Sequence, residues 1–284
     1  VSICYLNGGF VPRSEARISP MDRGFLFGDG VYEVIPVYGG RAFRLDAHLA
    51  RLQRSLAGIG IANPHSHAEW TDLVQRLVAA HHWPAQAVYV QVTRGADTVR
   101  NHAFPHDLPP TVFMTADALA PIAPEQLERG VSAVSAADNR WLRCDLKTTA
   151  LLANCLLRQL AVEQGCAETV LFRDGFLTEG SASNIFVVRD GVLLAPPKSH
   201  LMLPGITCDV VLELAAKHGQ ATEVREIREE EVHSADELWL TSSTKEVLPI
   251  TRLDDKPVGS GRPGPVTRAM IDWFRQARIE ECGA

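Results

Sequence analysis

Four glycine-bearing turn signals constrain this chain most: Asn7-Gly8-Gly9, Gly39-Gly40, Asp174-Gly175 and Asp190-Gly191. Asn-Gly and Asp-Gly pairs tolerate the left-handed backbone of tight hairpins, so the flanking runs read as antiparallel strands. Around the last two signals the strands fall at 168–173 and 184–189. Further strands fit 87–93, where Val88, Val90 and Val92 share a face, and 111–114, 130–136, 223–227 and 237–240. Helical periodicity sets in between them. Leu49, Leu52, Leu56 and Ile59 mark one helix over 46–60, and Trp70, Leu73, Val74, Leu77 and Val78 mark another over 68–81. Three more helices are predicted at 149–164, 207–218 and 265–278. Strands and helices mix without a regular βαβ beat, which argues for an α+β protein. The Ala/Pro-rich stretch 116–124 reads as a domain boundary. It divides a smaller α/β domain, 1–116, from a larger one, 124–284, through a linker at 117–123.

Composition narrows the function. With 46% hydrophobic and 22% charged residues among 284, the chain is an ordinary globular protein with enough length for two cores. A net charge of −6 and the lack of any basic stretch exclude a nucleic-acid binder. No window is long and apolar enough for a membrane span. The six cysteines form no CxxC pair and read as reduced thiols. No signal peptide is recognised in Val1-Ser2-Ile3-Cys4-Tyr5-Leu6-Asn7, and the expected location is the cytoplasm.

Several residues carry potential chemistry. Lys147 stands just before the apolar helix expected at 149–164, which Thr148 or Thr149 caps in this reading. An ammonium there opposes the helix dipole, a poor place for a structural lysine and a fair one for a neutral amine. Pairing with Asp145 is the competing reading. Gly205-Ile206-Thr207 opens a helix, either as an ordinary start or as a cradle of N–H groups for an anion. Thr241-Ser242-Ser243-Thr244 ends a strand and adds hydroxyls. Glu179 sits between two strands, as a turn residue or as a carboxylate for a ring nitrogen. Arg51 interrupts an apolar helix face, where a surface arginine is the default. Arg100 and His102 lie one residue apart in a loop suited to clamping a carboxylate. No metal site is expected, since the histidines lack a third partner in register.

In order along the chain, these segments resemble the fold-type IV pyridoxal-phosphate (PLP) enzymes, in the D-amino-acid aminotransferase branch. The resemblance runs over almost the whole chain. It rests on Asp22-Arg23-Gly24-Phe25-Leu26-Phe27-Gly28-Asp29-Gly30-Val31-Tyr32-Glu33-Val34, Gln91-Val92-Thr93-Arg94-Gly95 with Arg100-Asn101-His102, and Arg140-Trp141-Leu142-Arg143-Cys144-Asp145-Leu146-Lys147. Thr178-Glu179-Gly180, Gly205-Ile206-Thr207 and Asp236-Glu237-Leu238-Trp239-Leu240-Thr241-Ser242-Ser243 complete it.

The resemblance implies two α/β domains with an active site between them and pyridoxal 5'-phosphate as cofactor. It implies that Lys147 forms the internal aldimine and that Glu179 pairs with the pyridine nitrogen. Arg51, Ile206, Thr207 and Ser243 would hold the phosphate, with Ser242 near the ring. Tyr32, Arg100 and His102 would trap the substrate carboxylate, the last two from the partner subunit of a homodimer. The implied activity is transamination between D-amino acids (D-alanine, D-glutamate or D-aspartate) and 2-oxo acids through a 1,3-proton shift. A branched-chain L-aminotransferase and an aminodeoxychorismate lyase are the alternatives on the same fold. Ala182 and Cys208 depart from the pattern, where relatives carry serine and arginine.

Overall fold

A computed structural model describes residues 2–284. The chain forms two compact units. The first comprises Val1–Ala120, Leu146–Leu151 and Glu280–Ala284; the second comprises Pro121–Asp145 and Leu152–Ile279. The strip carrying Lys147 therefore clusters with the first unit, although its sequence neighbours on both sides belong to the second.

The first unit contains β1 (Ile3–Leu6), β2 (Gly9–Pro12), α1 (Arg23–Phe27), β3 (Gly30–Tyr38), β4 (Arg41–Ala42), α2 (Leu45–Gly58), α3 (His67–Ala79), β5 (Ala85–Thr93) and β6 (Thr111–Ala118). Its sheet runs β2-β1-β6-β5-β3-β4, antiparallel throughout. Strand alternation fixes what each face does. Val31, Glu33, Ile35 and Val37 are buried on one face of β3, while Tyr32 and Val34 alternate with them. The expected stripe on α3, Trp70, Leu73, Val74, Leu77 and Val78, is buried as a set and joins Leu49, Leu52 and Leu56 of α2 in one core. A capping box of Ser66 and Glu69 starts α3.

The second unit contains α4 (Pro124–Arg129), β7 (Val131–Ala137), α5 (Leu152–Glu163), β8 (Glu168–Arg173), β9 (Phe176–Gly180), β10 (Asn184–Arg189), β11 (Val192–Ala195), α6 (Ile206–Lys217), β12 (Thr222–Val224), α7 (Glu229–His233), β13 (Glu237–Ser242), β14 (Glu246–Leu253), β15 (Lys256–Pro257) and α8 (Pro265–Cys282) up to Ile279. Its sheet runs β12-β11-β10-β13-β14-β7-β8-β9, with β15 on β14. Asp174-Gly175 and Asp190-Gly191 have positive φ at both positions, as the hairpin reading requires. Val170, Ile185, Val187, Leu238, Leu240, Leu248 and Ile250 fill the core. The mixture of parallel and antiparallel pairs in this sheet, beside an antiparallel first sheet, makes the protein α+β.

The helix expected from 149 begins three residues later, at Leu152. Thr148 bridges Val31 of β3, and the Thr149 N–H donates to the Gly30 carbonyl at 2.9 Å. Two β-branched residues thus extend the edge of β3 instead of capping α5.

Candidate functional site

Lys147 lies on an extended strip, not at a helix start, and its placement is set by β3. The Tyr32 N–H donates to the Lys147 carbonyl at 2.9 Å, and the Lys147 N–H donates to Ser55 Oγ of α2 at 3.2 Å. With its backbone held from both sides, the side chain carries Nζ to 4.2 Å from the centre of the Tyr32 ring. Tyr32 is itself stacked on Tyr89, ring centres 5.6 Å apart. The amine is partly exposed and stands on an aromatic face in a fixed place. Asp145, the partner considered from sequence, is bonded to Arg143.

Behind Tyr32 the strand presents a buried charge. Glu33 accepts from Arg51 Nε at 2.7 Å and Nη2 at 2.9 Å, a bidentate pair, and from His48 Nδ1 at 2.8 Å. Burial alone would raise the Glu33 carboxyl, but Arg51 and His48 outweigh it and hold it well below the usual carboxylate range. Burial pushes His48 down against the pull of Glu33. Because an ionised carboxylate only accepts, Nδ1 of His48 is the protonated nitrogen. Arg51 is 3% exposed, so the surface role that was its default does not hold. An acidic residue inside the apolar run of β3 is the signal that a buried cation faces it. Glu33 and His48 are components that reading from sequence missed.

Arg100 and His102 are exposed and share one support, the Phe27 ring. The Arg100 guanidinium lies 4.9 Å from its centre and the His102 ring 5.2 Å. Among the described residues, neither hydrogen-bonds to nor stacks on Tyr32.

In the second unit, Glu179 is the last residue but one of β9 and is buried. Its Oε1 accepts from Arg140 Nη1 at 2.5 Å, and Oε2 accepts from the Leu203 N–H at 3.1 Å and Asn184 Nδ2 at 3.3 Å. Arg140 is shared: Nε and Nη2 each donate to Asp138 at 2.9 Å, while Arg173 and Thr178 also bond Asp138. Burial raises Glu179 to about 7 despite Arg140. Asp138 is held at about 2, because its own burial is outweighed by the bonds from Arg140. One guanidinium thus serves two carboxyls and neutralises Asp138 more fully. The turn after Glu179 is pinned by the buried Glu168, which accepts from the hydroxyls of Ser181 and Ser183 and from the Ser181 N–H. Ala182 between them is exposed.

Ile206 and Thr207 open α6 and are buried. Gly205 is the N-cap, and no side chain caps it. Twelve residues of aligned peptide dipoles therefore start on bare backbone, which suits a phosphate. A Cβ on Gly205 would collide with Asn184 Oδ1, so only glycine permits this close approach. Cys208 is buried, and burial raises its thiol to about 12. Ser242 ends β13 and Ser243 lies in the turn after it, both partly exposed; the Ser242 hydroxyl accepts from the Lys245 N–H at 3.1 Å. The neighbouring Thr241 Oγ1 is buried with no partner among the described residues.

Unit by unit, the donor set fits pyridoxal phosphate. It supplies an amine on an aromatic face, a buried carboxyl that titrates near neutrality, and an uncapped helix start together with strand-end hydroxyls. Among the described residues, no group of three or more His, Cys, Asp or Glu side chains is arranged to hold a metal ion.

Comparison with known proteins agrees with this chemistry. Residues 30–253 match the amino-transferase class IV family. D-alanine aminotransferase of Bacillus licheniformis is 43% identical over 275 residues, covering 97% of this chain and 96% of the relative. The enzyme of that name from Listeria monocytogenes serotype 1/2a (strain 10403S) is 38% identical over 279 residues, covering 98% and 96%. Among solved structures, Escherichia coli branched-chain amino acid aminotransferase aligns with a TM-score of 0.90 at 26% identity, over 97% of this chain and 94% of that one. The branched-chain aminotransferase of Thermoproteus uzoniensis with norvaline aligns at 0.87 and 26%, over 98% and 94%. A match over most of the chain, with the lysine strip and the buried carboxyl inside the matched region, leads to one conclusion: the chain belongs to the class IV aminotransferases.

Proposed function

We propose that this protein is a pyridoxal-phosphate-dependent aminotransferase that exchanges amino groups between D-amino acids, D-alanine among them, and 2-oxo acids. The observation that carries the reading is the 43% identity to a D-alanine aminotransferase along 97% of the chain. The branched-chain enzymes share the fold at 26% identity, which weighs less for substrate choice.

Bound pyridoxal phosphate supplies an electron sink for the substrate Cα. In this reading Lys147 Nζ binds the cofactor and moves the proton at Cα, and the Tyr32 ring orients the amine. Glu179 would pair with the pyridine nitrogen, and its near-neutral titration suits a carboxyl that shares a proton there. Arg51, Ile206, Thr207 and Ser243 would hold the phosphate, and Ser242 would lie near the ring. The Arg51 guanidinium is held by its two hydrogen bonds to Glu33. Tyr32, Arg100 and His102 bind the substrate carboxylate.

The reading includes a homodimer in which Arg100 and His102 serve the partner subunit. The strong exposure of Phe25, Val99, Phe104, Leu152 and Leu156 supports it. Six free cysteines support a reducing compartment such as the cytoplasm. No helix among the described residues is long and apolar enough to cross a membrane.

The test adds D-alanine and, separately, L-alanine to the cofactor-loaded protein without any oxo acid. D-alanine alone should bleach the cofactor band and release pyruvate. Bleaching by L-amino acids alone would move the protein to the branched-chain side, and no change with either would defeat the reading.

A further inference from the structure

The loop 96–109 carries Arg100 and His102, lacks helix and strand apart from a single bridge from Ala96 to Asp22, and is largely exposed. A carboxylate clamp on such a loop needs a support, because misplacement by about 1 Å costs roughly a hundredfold in rate. That support is Arg23, which is 3% exposed. Its Nη1 donates to the carbonyls of Asn101 at 2.5 Å and Ala103 at 3.4 Å, and Nη2 donates to the His102 carbonyl at 3.2 Å. Three successive carbonyls thus converge on one guanidinium.

The orientation of Arg23 is itself imposed. Asp29 accepts its Nε at 2.8 Å and also takes a bidentate pair from Arg94, at 2.8 and 3.0 Å. Arg94 reaches on to the carbonyls of Ile59 and Gly60, and its guanidinium lies 3.5 Å from the centre of the Phe104 ring, at the far side of the loop. Beneath the loop, Phe27 of α1 supports the Arg100 and His102 side chains and lies 4.9 Å from the Arg23 guanidinium. Asp22 fixes α1 by accepting from Gly24 N–H and from the hydroxyls of Thr93 and Thr111.

We infer that Arg23, through the loop carbonyls, and Phe27, through the side chains of Arg100 and His102, are positioning residues for substrate-carboxylate binding. The inference rests on the proposed role of Arg100 and His102. Lysine at position 23 keeps the charge but loses the planar fork that spans three carbonyls. Asp29 still keeps Arg94 in that variant, so no carboxylate is stranded.

The experiment compares Arg23→Lys, Phe27→Leu and Arg100→Ala with the parent enzyme, all cofactor-loaded. For Arg23→Lys we expect KM for D-alanine to rise about tenfold with kcat changed far less. The inhibition constant of propionate, a carboxylate without an amine, should rise in parallel. Hydrogen exchange at 99–104 should quicken while cofactor affinity stays unchanged. Phe27→Leu should weaken propionate in the same way, and it decides the question if Arg23→Lys does not fold. Unchanged propionate binding in both positioning variants, with Arg100→Ala impaired, would overturn the inference alone. Unimpaired Arg100→Ala would instead overturn the carboxylate reading and the inference with it.

Discussion

Glu179 receives the Arg140 guanidinium at 2.5 Å and still titrates near 7, because its burial outweighs the ion pair. Arg140 is divided between two carboxyls, and Asp138 takes the bidentate share. A carboxyl raised from 4.5 to about 7 binds more protons in the folded than in the unfolded protein between those values. Its contribution is therefore fully present below about pH 4.5 and is lost as pH rises through 7. The cofactor-free protein should lose up to roughly 3 kcal/mol over that interval relative to Glu179→Gln. Thermal melts of both proteins from pH 5 to 8 check this; parallel curves would remove the titration from Glu179.

Lys147→Ala should abolish the visible band of the bound cofactor and lower aminotransfer at least about 10³-fold. The fold should survive, since the amine-over-ring contact with Tyr32 is worth only about 0.5–1 kcal/mol. Absorbance spectra and circular dichroism on the same sample separate the two outcomes. A coloured, active variant would end the assignment of the amine.

Glu33→Gln removes the countercharge of a buried arginine. Unfolding in denaturant should show a loss of about 3–5 kcal/mol, the usual consequence of breaking one side of a buried pair. The Glu33 carboxyl lies below its ordinary 4.5, so its stabilisation is complete above that pH and fades as pH falls further. The variant should therefore differ most from the parent at neutral pH and converge with it in acid.

Gly205→Ala tests the close approach at the head of α6. The backbone there, at φ −71°, accepts alanine without strain, so any effect comes from the collision with Asn184 Oδ1. Moving Asn184 costs its bonds to the Leu203 carbonyl and to Glu179. A loss of about 1–3 kcal/mol is expected, readable as a lowered Tm.

The hairpins are legible in the sequence because Asp-Gly pairs admit few backbone solutions: 168–173 and 184–189 match β8 and β10 residue for residue. The α3 stripe is legible for the same local reason, a period of 3.6 with one buried face. Partners far apart in sequence are not. Thr148-Thr149 read as a cap for α5, since nothing local reveals that Val31 and Gly30 pair with them. Arg51 reads as a surface residue because its partner sits in another element. Glu33 carries the one warning, a lone acid in an apolar strand. Arg140 and Glu179 are likewise invisible as a pair, since only the fold brings them together. Lys147 stands out in the sequence by its motif; the helix dipole offered as a reason has no place on the extended strip it occupies.

The membership of Leu146–Leu151 in the first unit has a consequence for how the protein is made. A chain emerging from its N-terminus cannot complete that unit when Ala120 has appeared. The edge of β3 waits for Thr148, and Glu280–Ala284 come later still. Nascent first-unit structure therefore carries an open strand edge until Thr148 has been made, a place where wrong pairing starts. Severing the chain at the boundary would give one fragment without the amine and another with the amine but without Tyr32. Mixing the fragments would restore it only by docking the strip from outside.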